Sequence, residues 1–145
     1  MKVVFCKITS MKYYKGPSAD DPPSKGGSWV KANGMGHEAW NFLQVEENGQ
    51  HLCYGFVEPK SNRGNRNTIH VENITGKAED KSVDCIEDVL VIWCETTDRD
   101  VVAVVGWYKG ATIYRDLQDV MRGDMESSYI VVAEAPNCVL NLYSK

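Results

Sequence analysis

Two apolar runs separated by one short polar stretch constrain this chain more than anything else in it. Asp88-Val89-Leu90-Val91-Ile92-Trp93-Cys94 is almost continuously apolar, and Val101-Val102-Ala103-Val104-Val105-Gly106-Trp107-Tyr108 answers it after Thr96-Thr97-Asp98-Arg99-Asp100. Runs of this length, rich in β-branched and aromatic residues and bounded by turn formers, are strands covered on both faces. The pair therefore predicts a hairpin at the centre of the core. A chain of 145 residues needs only one such centre, and neither an internal repeat nor a linker divides it, so residues 1–145 are read as a single domain.

The rest of the chain punctuates in the same way. Lys109-Gly110 predicts a break, after which Ala111 to Arg115 reads as a third strand in meander order. Further strands are predicted at Val3 to Thr9, Leu52 to Val57, Thr68 to Val71, Ser128 to Glu134 and Cys138 to Leu142, each bounded by Gly, Pro, Asn, Asp or other polar residues. Helical signals are confined to Gly36 to Leu43, Gly76 to Ile86 and Asp116 to Arg122. The expected class is β-rich α+β: a curved antiparallel sheet or small barrel with a few short flanking helices. Ser10 to Glu38 holds three prolines and five glycines, which excludes regular structure there and marks a functional or mobile loop.

Composition excludes several classes. Hydrophobic residues make up 43% of the chain, too many for a disordered one, and no run approaches the ~18 apolar residues of a membrane span. Met1 to Lys7 is too short an apolar stretch for a secretory signal, so the expectation is a cytoplasmic protein with no membrane partner. Five scattered cysteines, several inside apolar runs, read as reduced core residues, and the three histidines show no zinc spacing. No metal and no cofactor are expected. There is no GxSxG, no phosphate-binding loop and no GxGxxG after a strand, and Cys94 reads as a core thiol, so no catalytic residue is assigned. The carboxylate pairs Asp20-Asp21, Glu46-Glu47, Glu79-Asp80 and Glu87-Asp88 fall in turns or at element ends and read as solvated surface.

Charge is divided unevenly. Residues 1–66 carry nine Lys or Arg against six Asp or Glu, and residues 67–145 carry seven against fourteen, giving +3 and −7 for a total of −4. Any contact with phosphate would therefore use a local basic face in the N-terminal half. The polar loop Ser61-Asn62-Arg63-Gly64-Asn65-Arg66-Asn67, with two arginines and no carboxylate, suits phosphate oxygens, and Lys12 and Lys15 could extend its surface. Aromatics gather in or beside the irregular segment. Trp29 follows Gly26-Gly27-Ser28, a setting in which it either stacks on a planar ligand or pins the loop to the sheet.

Six stretches carry a resemblance. Met11-Lys12-Tyr13-Tyr14-Lys15-Gly16, Gly26-Gly27-Ser28-Trp29-Val30, Trp40-Asn41-Phe42, Cys53-Tyr54-Gly55-Phe56-Val57, Asp88 to Trp93 and Val105 to Arg115 together resemble a bacterial N-terminal module found ahead of HNH-type nucleases in modification-dependent restriction proteins. Through the strand at Val89 to Trp93 and its return at Val104-Val105-Gly106-Trp107, the chain is similar to the PUA-like superfamily, which includes the EVE and YTH domains. The resemblance implies a curved barrel that flips a modified base into an aromatic pocket. Carried onto this sequence, that pocket draws on Trp29 and Trp93, with Tyr13 or Trp107 as further walls and Asn41 reading the base edge, while Arg63, Arg66, Lys12 and Lys15 meet the backbone. The implied partner is nucleic acid, DNA with a modified base such as methylated cytosine, and a nuclease module or subunit. The alternatives are a small-molecule- or protein-binding module and, behind it, a nuclease.

Overall fold

The computed structural model describes residues 1–24, 36–59, 61–62, 65–66 and 68–142. Its centre is the predicted hairpin, made of β6 (Cys85–Thr96) and β7 (Val102–Arg122) and closed where Thr97 N–H donates to the Val101 carbonyl at 2.8 Å. Around it lie β1 (Lys2–Lys7), β2 (Gln44–Glu47), β3 (Gln50–Gly55), β8 (Met125–Glu134) and β9 (Cys138–Leu140). The sheet runs β1-β6-β7-β8-β3-β2, with β9 paired to the upstream half of β7. β4 (Ser61–Asn62) and β5 (Asn65–Arg66) form a separate two-stranded ribbon.

The class is β-rich α+β as expected, but two features of the expected sheet are corrected. β1 lies parallel to β6, with Lys2 opposite Val89 and Lys7 opposite Cys94, so the sheet is mixed. Among the described residues β1 and β2 form its two edges, so the sheet is open.

β7 also differs from the sequence expectation. Gly110, at φ +60°, is a left-handed position inside the strand and ends nothing; the chain continues to Arg122. Asp116 to Arg122, expected as helix, pairs with β8 from Gln118 opposite Tyr129 to Arg122 opposite Met125. The spacing of Leu117, Val120 and Met121 suits a helix, but the hairpin turn at Gly123 (φ +65°) supplies a ladder partner, and tertiary pairing overrides local propensity. Thr68 to Val71, expected as a strand, leads into the short helix α1 (Val71–Thr75), which Gly76 ends in the left-handed conformation. Gly76 to Ile86 accordingly splits into that cap, a 3-10 turn at Ala78–Ser82 and the start of β6. Arg115 ties these pieces together: its guanidinium donates to Glu72 Oε2 at 2.9 Å and to the carbonyls of Val83 and Asp80 at 3.0 and 2.8 Å.

The core sits on one face of the sheet. Val89, Val91 and Trp93 of β6 and Val105 and Tyr108 of β7 are fully buried, beneath Val71 of α1 and the turn at His37–Trp40. Gly106 belongs to this closeness, because a Cβ there would overlap the Val139 carbonyl and stand 2.7 Å from Phe42 Cζ. Among the described residues no helix is long and apolar enough to cross a membrane.

Candidate nucleic-acid interface

The parallel strands β1 and β6 end side by side, and the chain that leaves β1 folds back over that end. Ser10 and Ser24 bridge through their backbones at 2.6 and 2.9 Å, and the Thr9 hydroxyl donates to the Ser24 carbonyl at 2.7 Å. Asp21 organises the loop between. Its carboxylate accepts from the amides of Lys12, Tyr13 and Tyr14 at 2.6, 2.8 and 3.3 Å, and the side chain is buried. Read from sequence as solvated, Asp21 is instead the loop's internal staple: three converging amides replace the water a buried carboxylate would lose. The amide of Gly16 then donates to Ala39 and that of Phe42 to Tyr14, which stitches the loop to the His37–Trp40 turn.

Behind the loop the polar groups are buried. Glu95, at the end of β6, accepts from the Ser10 hydroxyl at 2.7 Å and faces the Tyr14 hydroxyl, which itself donates to the Thr9 carbonyl at 2.7 Å. The Glu38 carboxyl is pushed above its ordinary value by burial, with Glu58 adding to the rise and the amides of Glu38 and Thr9 opposing it. Tyr14, Phe42, Tyr108 and Trp93 continue inward as a chain of tilted and edge-on rings, with centroids 6.1, 5.6 and 5.2 Å apart. Trp93 Nε1 and Thr96 Oγ1, both near the downstream end of β6, are buried and have no hydrogen-bond partner among the described residues.

The predicted site residues separate into groups. Trp29 and Arg63 lie outside the described residues, and of Arg66 only the backbone, in β5, is described. Tyr13, Lys12 and Lys15 are all exposed on the loop; Lys12 Nζ lies 5.0 Å from the Tyr13 ring centroid, whereas Lys15 acts on Cys53 of β3. Trp93 is part of the core behind them, fully buried and edge-on to Tyr108. Asn41 is also fully buried, and its amide is used: Nδ2 donates to the Phe56 carbonyl at 3.1 Å and Oδ1 accepts the Phe56 amide at 2.8 Å. Its backbone carbonyl meanwhile accepts from the Tyr108 hydroxyl. Asn41 therefore positions Phe56 and has no free edge for a base. Trp107 stands on the opposite face of the sheet, opposite Ile92, whereas Trp93 is opposite Gly106. The two indoles have the sheet between them and share no pocket.

Glu38, Glu95 and Asp21 are buried carboxylates that sequence reasoning missed. Their signal was weak: each is a carboxylate in a turn or at a strand end, the usual place for a solvated one. A concavity of about 390 Å³ lies elsewhere, lined by Glu46, Glu47, Asp119, Tyr54 and Tyr129 among others. Tyr54 donates to Glu47 and meets Tyr129 edge-on at 4.6 Å, and burial, with Glu47 close by, raises both phenols above their ordinary range.

No protein-family model, curated protein or solved structure matches the chain.

Proposed function

We propose that the chain is a non-catalytic PUA-like recognition domain that reads a modified base in DNA at the end of β1 and β6. The observation that carries the reading is the gathering of buried polar side chains, Thr9, Glu38 and Glu95, beside an aromatic chain whose innermost indole N–H has no partner among the described residues. Buried polar atoms without partners are rare in native proteins, and a flipped base is a planar group whose edge supplies donors and acceptors. Burial raises the Glu38 carboxyl above its ordinary value, which makes it easier to protonate at this end than a solvated one. Lys12, Lys15 and Tyr13 on the covering loop provide the cations and the exposed ring that a backbone and a neighbouring base would meet. Residues 24 and 36, which bound the segment carrying Trp29, are tied to this same end, Ser24 to Thr9 and Ser10, and Gly36 through its carbonyl to Ala39.

The test is a titration of the intact chain against matched duplexes, unmodified and carrying methylated or hydroxymethylated cytosine, at low and moderate salt. Preference for a modified duplex that weakens steeply with salt supports the reading, and Trp29→Ala then lowers affinity tenfold or more, since one base-on-aromatic contact contributes ~1 to 3 kcal/mol. The absence of binding to every duplex refutes it. A small-molecule reading is favoured by one separate observation, the acidic, tyrosine-lined concavity at Glu47 and Asp119, which suits a small cation. Such binding would be lost in Asp119→Asn and would not need DNA.

A further inference from the structure

Trp107 leaves the base pocket only to become the middle of another feature. Phe5, Ile92, Trp107 and Val139 stand in register on four adjacent strands, β1, β6, β7 and β9, and point away from the core. Val3 and Leu90 pair in the row on one side, and Val104 lies in the row on the other. Phe5 is 68% exposed, Val139 40% and Val3 39%. Between them a groove of about 270 Å³ is lined by Leu90, Ile92, Val104, Trp107 and Lys109. Edge strands usually carry charge on such a face, and an apolar band here is a surface that expects a cover.

Charge and size narrow the cover. Lys109 borders the row of Leu90, and Lys7 borders the row of Val104, opposite Cys94, so the two cations mark diagonal corners of the band. Among the described residues neither lysine has an ion-pair partner. A second copy docked face to face would bring the same two cations to the band. The exposed apolar area is also on the order of 400 Å², about half of what each side of a stable dimer buries. With two rows at ~3.3 Å per residue and two strands at ~4.8 Å, the lysines are roughly 16 Å apart, the rise of about eleven helical residues.

We infer that this outer sheet face docks an amphipathic helix of a partner protein, with large apolar residues along its buried stripe and carboxylates about eleven residues apart to meet Lys7 and Lys109. The inference stands apart from the base-reading site, which lies at the loop-covered end of the sheet's other face.

The probe is an 18-residue synthetic helix with leucines at i, i+4, i+7 and i+11, flanked by glutamates at the stated spacing, together with a sister peptide carrying lysine in place of glutamate. Both are titrated by fluorescence anisotropy against the intact chain at moderate salt. The expected result is saturable binding of the glutamate peptide at least tenfold tighter than of the lysine peptide. Phe5→Ser should weaken it fivefold or more with unchanged Tm, and joint Lys7→Glu and Lys109→Glu substitution should invert the preference between the peptides. No saturable binding of the glutamate peptide, or equal binding of the two peptides, overturns the inference. A dimer seen by sedimentation and abolished by Phe5→Ser overturns it too, because the cover would then be a second copy.

Discussion

Asn41 offers a direct test of how this end of the molecule is held. Both atoms of its amide are engaged by the backbone of Phe56, at 2.8 and 3.1 Å, and the side chain has no exposure to water. Asn41→Ala strips the partner from a buried N–H and a buried C=O at once. Each orphaned group costs about 1 to 3 kcal/mol, so the pair should cost about 3 to 5 kcal/mol, a large share of the 5 to 15 kcal/mol that holds a domain of this kind together. With a urea m-value of about 2 kcal/mol/M, the unfolding midpoint should fall by about 2 M. Asn41→Asp refines the test. An ionised carboxylate can still accept the Phe56 amide, but its second oxygen faces the Phe56 carbonyl, whereas a protonated one can donate to it. Burial raises the pKa of the introduced acid, so the folded variant binds more protons than the unfolded one and regains stability as pH falls. Urea melts of the native chain and both variants at pH 7.5 and 5 measure this. A midpoint shift below 0.3 M for Asn41→Ala, or an Asn41→Asp deficit that does not shrink at pH 5, would refute the assignment of Asn41 as the clamp on Phe56.

Two carboxylates lead to opposite pH signatures. The folded pKa of Glu38 lies above its ordinary 4.5, so its ionisation works against folding; that penalty is absent below 4.5 and complete above the folded value. Glu38→Gln should therefore raise Tm at pH 7.5 and bring no gain at pH 4, as scanning calorimetry would show. The Glu72 carboxyl is held at about 2 by its own backbone amide, by Arg115 and by His70. Its stabilisation is present above 4.5 and disappears as pH falls from 4.5 toward 2. Glu72→Gln should flatten the acid limb of the stability curve, and an unchanged limb would show that the Arg115 clamp does not depend on this charge.

The central hairpin was legible in the sequence because two apolar runs around a polar turn leave few other ways to bury them, and its turn at Thr97 to Val101 formed where the composition placed it. Gly110 shows where such reading fails. A glycine signals a left-handed backbone but not its use, and here the strand passes through it because β8 is available to pair with Gln118 to Arg122. The parallel pairing of β1 had no local signature at all, since Val3 to Thr9 looks the same whichever neighbour it finds. The site was less legible than the fold. Lys12 does lie against Tyr13, but Asn41 and Trp107 have the right chemistry in the wrong place: one is consumed by the backbone of Phe56 and the other lies beyond the sheet. Alternation along a strand decides which face a tryptophan occupies, and the bulges at Ile86/Val89, Val89/Val91 and Trp93/Cys94 shift that alternation in ways composition does not record.

The parallel contact of β1 with β6 also sets an order of events. Lys2 meets Val89, so almost the whole N-terminal half of the chain is a loop that must close before β1 can add to the sheet. Closing about 87 residues rather than about five costs roughly 2.5 kcal/mol more in chain entropy, while β6, β7 and β8 are joined by turns of a few residues and can zip from their own ends. The nascent sheet is therefore complete from β6 to β8 before its first strand arrives. Thr9, Ser10 and Asp21 travel with that strand, so the loop-covered end is the last part to be assembled during folding and the first to open when the domain is strained.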